Sequence, residues 1–496
     1  MTTRRNFLKA SIAAAAATGA AQSMAVPVNA PRKYDAVYDF IAIGAGNAGL
    51  SAASHAAEAG LKVLVLEKMA FVGGSSAICG GSWAASGTQM QKDAGINDSE
   101  DLFFDDMIKT GKGENDPDVV RAYIKASNRE YDWLLSKGVK AHDVHAAGGM
   151  SVPRVHAFRP DKVVAFYKDY AEKHGAKILT RAPAERLLWN ASRECIEGVR
   201  AKVRGKTMTF RARYGVLLAC GGFANNPKLL GKYVPAMKKA RAVSGVGNTG
   251  DGLLMALSLG ADVVDTNYIK ATYAFVPGGN ASEKSYIYYN GGIIVNKFGK
   301  RFVNESLSYK LIGDVALVQP EAKTYTVFDS SVRREGMAKD RREIKMWKDV
   351  ETKGTTPYGF VGKTIEEAAQ KAGIPPEALA QTIREYNELA PQGKDPLGRM
   401  HLSGKVGKPV PMTEGPWVIM PATAAMIATY CGVRIDPTAR VLDVYGQPIK
   451  GLYAAGEMLG GVHGAAYMTG TAFSKAAAFG HVAADQAIAR KKSAKK

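Results

Sequence analysis

Hydrophobic runs broken by glycine turns recur along this chain. Residues 38–68, YDFIAIGAGNAGLSAASHAAEAGLKVLVLEK, predict a buried strand, a glycine turn, an alanine-rich helix and a second buried strand. The segment 216–226 predicts another buried strand that ends in two glycines, and 248–261 predicts a turn that opens a helix. Residues 451–484 predict a strand, a glycine-rich loop and an alanine-rich helix. This alternation indicates an α/β protein.

A different pattern fills the region from about 266 to 415. Its charged segments DSSVRREGMAKDRREIKMWKDV and TIEEAAQKAGIPPEALAQTIREYNELA predict solvent-facing helices without recognisable chemistry. The chain has 496 residues, which is too long for one hydrophobic core, so we expect two or three domains.

Charge and cysteine content exclude several classes of protein. The formal net charge is +20, but the basic residues are scattered, so we expect a lysine-rich exterior and no nucleic-acid partner. The cysteines at 79, 195, 220 and 431 form neither C-x-x-C nor C-x-x-C-H. Zinc, iron–sulfur and covalently attached haem therefore have no support, and no metal site is predicted.

The first 25 residues have the features of an export signal. A basic segment with Arg4 and Arg5 precedes a short alanine-rich run and then QSMA, and the arginine pair is similar to the twin-arginine signal. We expect a periplasmic mature protein. No other run of 18 or more apolar residues occurs, so stable membrane insertion is not expected.

Gly44, Gly46 and Gly49 form the pattern G-x-G-x-x-G between the first strand and its helix. Such glycines permit a tight turn, close approach of a pyrophosphate and close packing of helix on strand. Glu67 ends the second strand, where an acid can bind a ribose hydroxyl. The irregular stretch FVGGSSAICGGSWAASGT, residues 71–88, replaces the further strand–helix units of an NAD domain, so FAD is the favoured cofactor.

The order of motifs resembles the fumarate reductase/succinate dehydrogenase flavoprotein family, from about residue 38 to 488. The motifs are GAGNAGL, GGSSAICGG, LLACGGFANN, NTGDG, GKRFVNE, GLYAAGE and GGVHGA. The resemblance implies a Rossmann-like FAD-binding domain with an inserted α+β capping domain. It implies FAD-binding segments at 36–266 and 416–490 and a capping domain at 267–415, which follow the signal peptide predicted above at 1–25.

The same resemblance implies an FAD-binding set. Glu67 would bind the adenosine ribose, Ala184 would lie beside the adenine, and Asp251 and Glu457 would lie near the ribityl chain. The first turn of the last helix would face the flavin O2, where a helix N-terminus stabilises the negative charge of reduced flavin. The complete predicted set is Gly44, Ala45, Gly46, Asn47, Gly49, Glu67, Lys68, Gly74, Ser75, Ser76, Gly80, Gly81, Ala184, Ala219, Gly221, Asp251, Gly456, Glu457, His463, Ala472 and Phe473.

The expected catalytic residues depart from the fumarate pattern. Tyr309 stands where fumarate-type relatives have an arginine that donates a proton, and Thr272, Ala428 and Tyr467 stand where they bind the substrate carboxylates. A dicarboxylate would lose its charged partners, so fumarate is not the expected substrate. Tyr309 and Tyr467 resemble the paired tyrosines of 3-ketosteroid dehydrogenases, in which one moves a proton and the other polarises a ketone, and Thr469 can bond the same oxygen.

The sequence therefore predicts an FAD-dependent oxidoreductase that acts on a carbon–carbon bond conjugated to a carbonyl. The favoured substrate is a 3-oxosteroid or another neutral, ring-containing enone. The electrons would be exchanged with a separate molecule such as a c-type cytochrome or a quinone. One alternative is a respiratory reductase of a monocarboxylic arylacrylate or a fumarate-like acid. Another is an electron carrier without a substrate, although a long capping segment that shuts out water argues against a carrier.

Overall fold

The computed structural model describes residues 28–147, 149–269, 271–280, 282–402 and 407–494, so the predicted signal peptide lies outside the described residues. The α-helices are α1 (Asn47–Glu58), α2 (Gly74–Ile78), α3 (Gln89–Asp93), α4 (Glu100–Thr110), α5 (Pro117–Ser136), α6 (Pro160–Lys173), α7 (Pro227–Tyr233), α8 (Asp251–Leu257), α9 (Tyr309–Leu317), α10 (Ser330–Lys339), α11 (Arg341–Lys353), α12 (Ile365–Ala372), α13 (Pro376–Leu389) and α14 (Thr471–Ser493). Short 3₁₀ helices lie at Pro235–Lys239, Thr266–Tyr268, Ile287–Asn290, Pro320–Ala322 and Gly456–Met458.

The strands form four sheets within the described ranges. In chain order they are β1 (Val28–Asn29), β2 (Ala36–Ile43), β3 (Val63–Leu66), β4 (Ser82–Ala84), β5 (Val144–His145), β6 (Val155–Ala157), β7 (Lys177–Leu179), β8 (Ala184–Asn190), β9 (Cys195–Val203), β10 (Lys206–Leu218), β11 (Arg241–Ala242), β12 (Val263–Val264), β13 (Thr272–Phe275), β14 (Ile293–Asn296), β15 (Thr324–Phe328), β16 (Phe360–Gly362), β17 (Trp417–Met426), β18 (Gly432–Val433), β19 (Arg440–Leu442) and β20 (Pro448–Ala454).

A largely parallel sheet organises the first of two compact units, which contains described residues 28–222, 250–265 and 430–494. Its strand order is β1-β8-β9-β10-β2-β3-β7, with β20 paired to β10 and β19 paired to β20. Strands β2, β3, β10 and β20 run parallel to one another, because β2 pairs with β3 and β10, and β10 pairs with β20. Their carboxyl ends therefore lie at one edge of the sheet, which is where nucleotide cofactors bind in open α/β sheets.

Helices α1 and α14 are rich in small residues and lie against each other. A Cβ added at Gly480 of α14 would be 2.3 Å from the carbonyl oxygen of Ala48 in α1. The Ser51 hydroxyl of α1 donates to the carbonyl oxygen of Ala477 in α14 at 2.9 Å. Glycine and alanine thus bring the two backbones closer together than larger side chains allow.

The second unit comprises Phe223–Thr249 and the described residues of 266–429. Strand β17 lies at the centre of its main sheet and pairs with β11, β13, β15 and β16, while β14 pairs with β15. Helices α10 to α13 flank a core that contains the buried side chains of Ile294, Phe328, Trp347 and Ile419.

The predicted elements can now be compared with the observed ones. The strand–helix–strand expected at 38–68 is confirmed as β2, α1 and β3, and the strand and helix expected at 451–484 are confirmed as β20 and α14. The sequence predicts residues 71–88 to be irregular and too glycine-rich for a helix; this was wrong at one place, because Gly74–Ile78 forms the short helix α2.

The second unit differs from the predicted capping segment 267–415 at two places. It continues to 429 because β17 pairs with β15 along five residues, and it includes 223–249 because β11 in that segment pairs with β17. Separately, no helix among the described residues is long and apolar enough to cross a membrane.

Candidate active site

The G-x-G-x-x-G turn joins β2 to α1 and leaves no room for side chains at two of its glycines. Gly44 has a φ of +105°, and a Cβ there would be 2.2 Å from the carbonyl oxygen of Ala219. A Cβ at Gly49 would be 1.9 Å from the carbonyl oxygen of Gly44. At Gly46 an added Cβ would make only ordinary contacts, 3.6 Å from the Ser76 hydroxyl and 3.8 Å from the carbonyl oxygen of Gly73, so this position is less crowded than the other two. The turn is therefore tight where helix packs on strand and open where a phosphate would approach.

Glu67 follows β3 and lies against this turn. Its carboxylate accepts the backbone N–H of Ala45 at 2.9 Å and that of Met69 at 2.7 Å. Next to it, the Lys68 ammonium pairs with Asp251 at 2.7 Å, and Asp251 begins α8. The structure thus brings predicted residues from three distant segments to one sheet edge.

The segment 74–81 contacts the same turn. The Ser76 hydroxyl accepts the backbone N–H of Asn47 at 3.1 Å, which links α2 to the start of α1. Gly74 has a φ of +48° and open space around it, whereas a Cβ at Gly81 would be 2.1 Å from the carbonyl oxygen of Phe158. Of the other predicted residues of this segment, Ser75 is half-buried and Gly80 is exposed.

The first turn of α14 also reaches the glycine turn, because the Asn47 amide donates to the carbonyl oxygen of Phe473 at 3.1 Å. Helix α14 begins after Gly470, which has a φ of +90°, and no side chain caps this end. The first-turn N–H groups, those of Ala472 and Phe473 included, can therefore bind an anionic group. The side-chain oxygen Oδ1 of Asn47 is buried and has no hydrogen-bond partner in the described part of the chain. It therefore offers an acceptor for a ligand hydroxyl.

Four further predicted cofactor residues follow β10 and β20, and one begins β8. Ala219 and Gly221 come directly after β10, Gly456 and Glu457 come after β20, and Ala184 begins β8. An open glycine turn, an acid after the second strand, an uncapped helix end and an orphaned acceptor together fit a dinucleotide with a flavin at its far end. FAD bound there would supply the hydride acceptor or donor.

Three aromatic side chains cluster beside the loop that precedes α14. The Tyr467 ring stacks on Tyr430, with centroids 5.1 Å apart and 23° between the planes, and it meets His463 edge-on at 5.3 Å. The Tyr467 oxygen accepts the backbone N–H of Gly470 at 3.1 Å. His463 is buried, and its Nδ1 lies 3.4 Å from the Thr471 hydroxyl. Thr469, in the same loop, is half-buried.

Tyr430 was not anticipated from sequence. It has a left-handed φ of +53°, which is uncommon for an aromatic residue, and no glycine or proline next to it marked the position. Its contact with Tyr467 joins residues that lie 37 positions apart in the chain, and residue spacing alone gives no signal for such a pair.

Tyr309 belongs to the second unit, in which it begins α9 after the N-cap Ser308. Its ring lies 5.8 Å from that of Tyr286, and the Lys310 ammonium lies 5.8 Å from its centroid. Tyr286 in turn stacks on Tyr289 at 6.2 Å, so Tyr309 belongs to a group of tyrosine rings.

The GKRFVNE motif holds the loop that leads to Tyr309. Arg301 pairs with Glu305 at 2.7 Å and with Asp395 at 2.6 Å, all three with buried side chains. Glu305 also accepts the backbone N–H of Ile294 in β14 at 3.0 Å. A buried ion pair of this kind fixes loop geometry, so Arg301 and Glu305 have a structural role in the motif.

Thr272 and His156 are neutral and buried. Thr272 of β13 is 1% exposed, and its hydroxyl has no hydrogen-bond partner within the described segments. His156 contacts the Thr88 hydroxyl at 2.8 Å, and burial lowers its pKa to about 4, so this histidine carries no charge at neutral pH.

The parallel sheet and the residues at its edge define a dinucleotide-binding oxidoreductase fold. The chain belongs to the family described as FAD binding domain, whose model matches residues 39–472. It is 32% identical to "Fumarate reductase (cytochrome)" of Shewanella frigidimarina over 90% of this chain and 76% of the relative. It is 30% identical to "Acrylate reductase flavoprotein subunit" of Shewanella woodyi over 93% of each chain.

A solved structure extends the similarity. The 3-ketosteroid-Δ4-(5α)-dehydrogenase of Rhodococcus jostii RHA1, in complex with 4-androstene-3,17-dione, superposes with a TM-score of 0.75 at 26% identity, over 93% of this chain and 99% of that one. The predicted family, fold class and FAD cofactor are thereby confirmed, and the protein is an FAD-dependent oxidoreductase of the kind that acts on carbon–carbon double bonds.

Proposed function

We propose that this protein transfers hydrogen across a carbon–carbon bond conjugated to the carbonyl of a neutral, ring-containing substrate such as a 3-oxosteroid. The observation that carries this proposal is the environment of Tyr467. Its phenol oxygen accepts a backbone N–H, its ring stacks on Tyr430, and His463 supports it from the side. An O–H group that accepts one hydrogen bond becomes a stronger donor for another, which suits Tyr467 for polarising a ketone.

The neutrality of the other substrate positions supports the same substrate class. Thr272 is buried and uncharged, and the chain has Ala428 and Tyr309 where the fumarate pattern calls for charged residues. A dicarboxylate bound there would lose its ionic partners at a cost of roughly several kcal/mol. A neutral enone has no such requirement.

The residues divide the chemistry between them. Hydride transfer next to a carbonyl builds negative charge on the carbonyl oxygen, and a hydrogen bond from Tyr467, supported by Thr469, stabilises that charge. The resemblance to 3-ketosteroid dehydrogenases assigns the proton transfer to Tyr309. Gly46, Glu67 and the first turn of α14 would hold the FAD, as described above.

The electron partner is part of the proposal. None of the four cysteines occurs in a haem-attachment motif, so electrons would pass to or from a separate molecule such as a c-type cytochrome or a quinone. Export by the segment 1–25 would place this exchange in the periplasm. Cell fractionation, with Arg4 and Arg5 both changed to lysine as the comparison, tests the location.

The test of the substrate is an anaerobic one. Chemically reduced holoprotein is mixed with 3-oxo-4-ene steroids, simple enones, arylacrylates and fumarate, and flavin reoxidation is followed by absorbance. We expect rapid reoxidation by neutral enones alone. We also expect Tyr467→Phe to slow this reaction by about 10²–10³, the usual cost of losing one oxyanion donor.

The matched control is Tyr445→Phe, which makes the same change at a tyrosine that is 74% exposed, and it should leave the rate unchanged. Reoxidation by arylacrylates or fumarate, unaffected by Tyr467→Phe, would favour an acid reductase and refute the proposal. If none of the compounds reoxidises the flavin and the protein does not oxidise steroids either, the result would favour an electron carrier.

A further inference from the structure

Glu130 of α5 is a fully buried carboxylate surrounded by polar side chains from other helices. From α1, His55 Nε2 lies 2.9 Å from Oε2, and the Ser51 hydroxyl lies 3.2 Å from Oε1. From α14, His481 Nδ1 lies 2.6 Å from Oε2. From α6, the Tyr167 hydroxyl donates to Oε1 at 2.5 Å. We refer to these five residues as the Glu130 cluster.

Two histidines and a glutamate can in principle bind a metal ion, and these three bring their ligand atoms close enough together. Their orientation argues against it. The rings of His55 and His481 stack face to face, with centroids 3.4 Å apart and 7° between the planes. A metal lies in the plane of each imidazole that binds it, along the nitrogen lone pair. An ion in the plane of one stacked ring would lie well outside the plane of the other, so the arrangement suits hydrogen bonds to the carboxylate.

Several hydrogen-bonding groups of the cluster face the Glu130 carboxylate. Burial alone would raise the pKa of Glu130, but attraction to His55 and hydrogen bonds from both histidines outweigh it and hold the pKa well below its usual value. Glu130 is therefore ionised at neutral pH. Hydrogen bonds to an ionised, buried acceptor are among the stronger ones in proteins.

The helices that Glu130 connects are the ones whose first turns form the cofactor site. Helix α1 begins at the G-x-G-x-x-G turn, and α14 begins at Gly470 with its uncapped N–H groups. The Asn47 amide bonds the carbonyl oxygen of Phe473 where the two helices start, and Glu130 bonds His55 and His481 farther along them.

We propose that Glu130 is a positioning residue for the flavin. Glu130 binds α1 and α14 through their histidines. It thereby fixes the relative position of the first turn of α1, which would hold the pyrophosphate, and the first turn of α14, which would hold the flavin ring. This inference rests on the FAD site and not on the identity of the substrate, so its failure and the failure of the proposed function are separate results.

The experiment compares three substitutions that weaken the cluster. His481→Gln removes the contact from α14, and Tyr167→Phe removes one from α6. Glu130→Gln weakens the contacts to α1 and to α14 at once. For each purified variant we would measure the dissociation constant of FAD, the absorption spectrum of the bound flavin and its midpoint potential, along with the melting temperature of the apoprotein.

We expect Glu130→Gln and His481→Gln to raise the dissociation constant of FAD by roughly tenfold or more, which is typical of coupling between packed elements. The flavin spectrum and potential should change as well. Tyr167→Phe should lower the melting temperature while the dissociation constant and the spectrum stay close to those of the wild type. If Glu130→Gln does not fold, the comparison of His481→Gln with Tyr167→Phe decides the question.

Two results would overturn the proposal. One is that the histidine and tyrosine variants lower stability alike and leave flavin affinity, spectrum and potential unchanged, which would make the cluster purely structural. The other is a rise in the melting temperature of the wild type, but not of His481→Gln, on adding one equivalent of Zn²⁺, which would make the cluster a metal site.

Discussion

Replacing Gly480 by alanine tests whether the close approach of α1 and α14 is essential to the FAD-binding unit. The added Cβ would lie 2.3 Å from the carbonyl oxygen of Ala48 and 3.2 Å from its carbonyl carbon. A backbone carbonyl cannot rotate away as a flexible side chain can. The two helices must therefore move apart by about an ångström to reach ordinary contact distance.

The magnitude follows from two opposing terms. Overpacking of a well-packed interface typically costs about 1–3 kcal/mol. Alanine in place of glycine within a helix stabilises by about 1 kcal/mol, which offsets part of that cost. Because the close contact is with backbone, we place the steric cost in the upper part of its range. The expected net loss in the free energy of unfolding is about 1–2 kcal/mol.

The assay is urea unfolding of the holoprotein, followed by circular dichroism and by the fluorescence of released FAD, together with titration of FAD into the apoprotein. Gly231→Ala is the matched control. Gly231 lies within α7 of the second unit, and the atoms nearest to an added Cβ belong to the Lys238 side chain, 3.4 Å away. This variant should gain up to about 1 kcal/mol from helix propensity. If Gly480→Ala were as stable as Gly231→Ala and bound FAD as tightly as the wild type, the inferred contact would be wrong.

Two further predictions concern the same unit. Gly49→Ala places a Cβ 1.9 Å from the Gly44 oxygen and should abolish FAD retention on purification, whereas Gly60→Ala, with open space around it, should retain flavin despite a strained φ of +76°. Burial lowers the pKa of Lys475 to about 8, below its value of about 10.4 in the unfolded chain. Between these two pH values the unfolded state binds more protons than the folded state. The free energy of unfolding should therefore rise with pH across that window. The rise, measured by urea midpoints from pH 7 to 10 at a fixed FAD concentration, should be smaller in Lys475→Met; an identical pH profile would contradict this.

The sequence predicted those features whose determinants lie close together in the chain. The strand–turn–helix at 38–68 and the helix after Gly470 depend on adjacent glycine, alanine and β-branched positions, and both are present. The predicted end of the second domain at 415 lies before β17, which pairs with β15 nearly a hundred residues earlier. Strand pairing over such a distance leaves no local signal in composition.

The residues of the site also differ in how well the sequence predicts them. Gly44 and Glu67 were predictable because a dinucleotide site requires these residue types at a fixed spacing in the chain. The structure places both at one sheet edge. The Glu130 cluster was not predictable, because its members are drawn from four helices and Glu130 is 351 positions from His481. Each of those residues, taken alone, reads as an ordinary helix residue.

The discontinuous first unit has a consequence for how the protein is made. Its sheet begins with strands synthesised early, but β20 and α14 follow only after the second unit, which occupies most of the 207 positions from 223 to 429. At about 5–20 residues per second this delay is on the order of ten seconds or more. During that time the faces of α1 and β10 that will receive α14 and β20 have no partner on the nascent chain. The complete dinucleotide site can therefore form only after α14 has been synthesised.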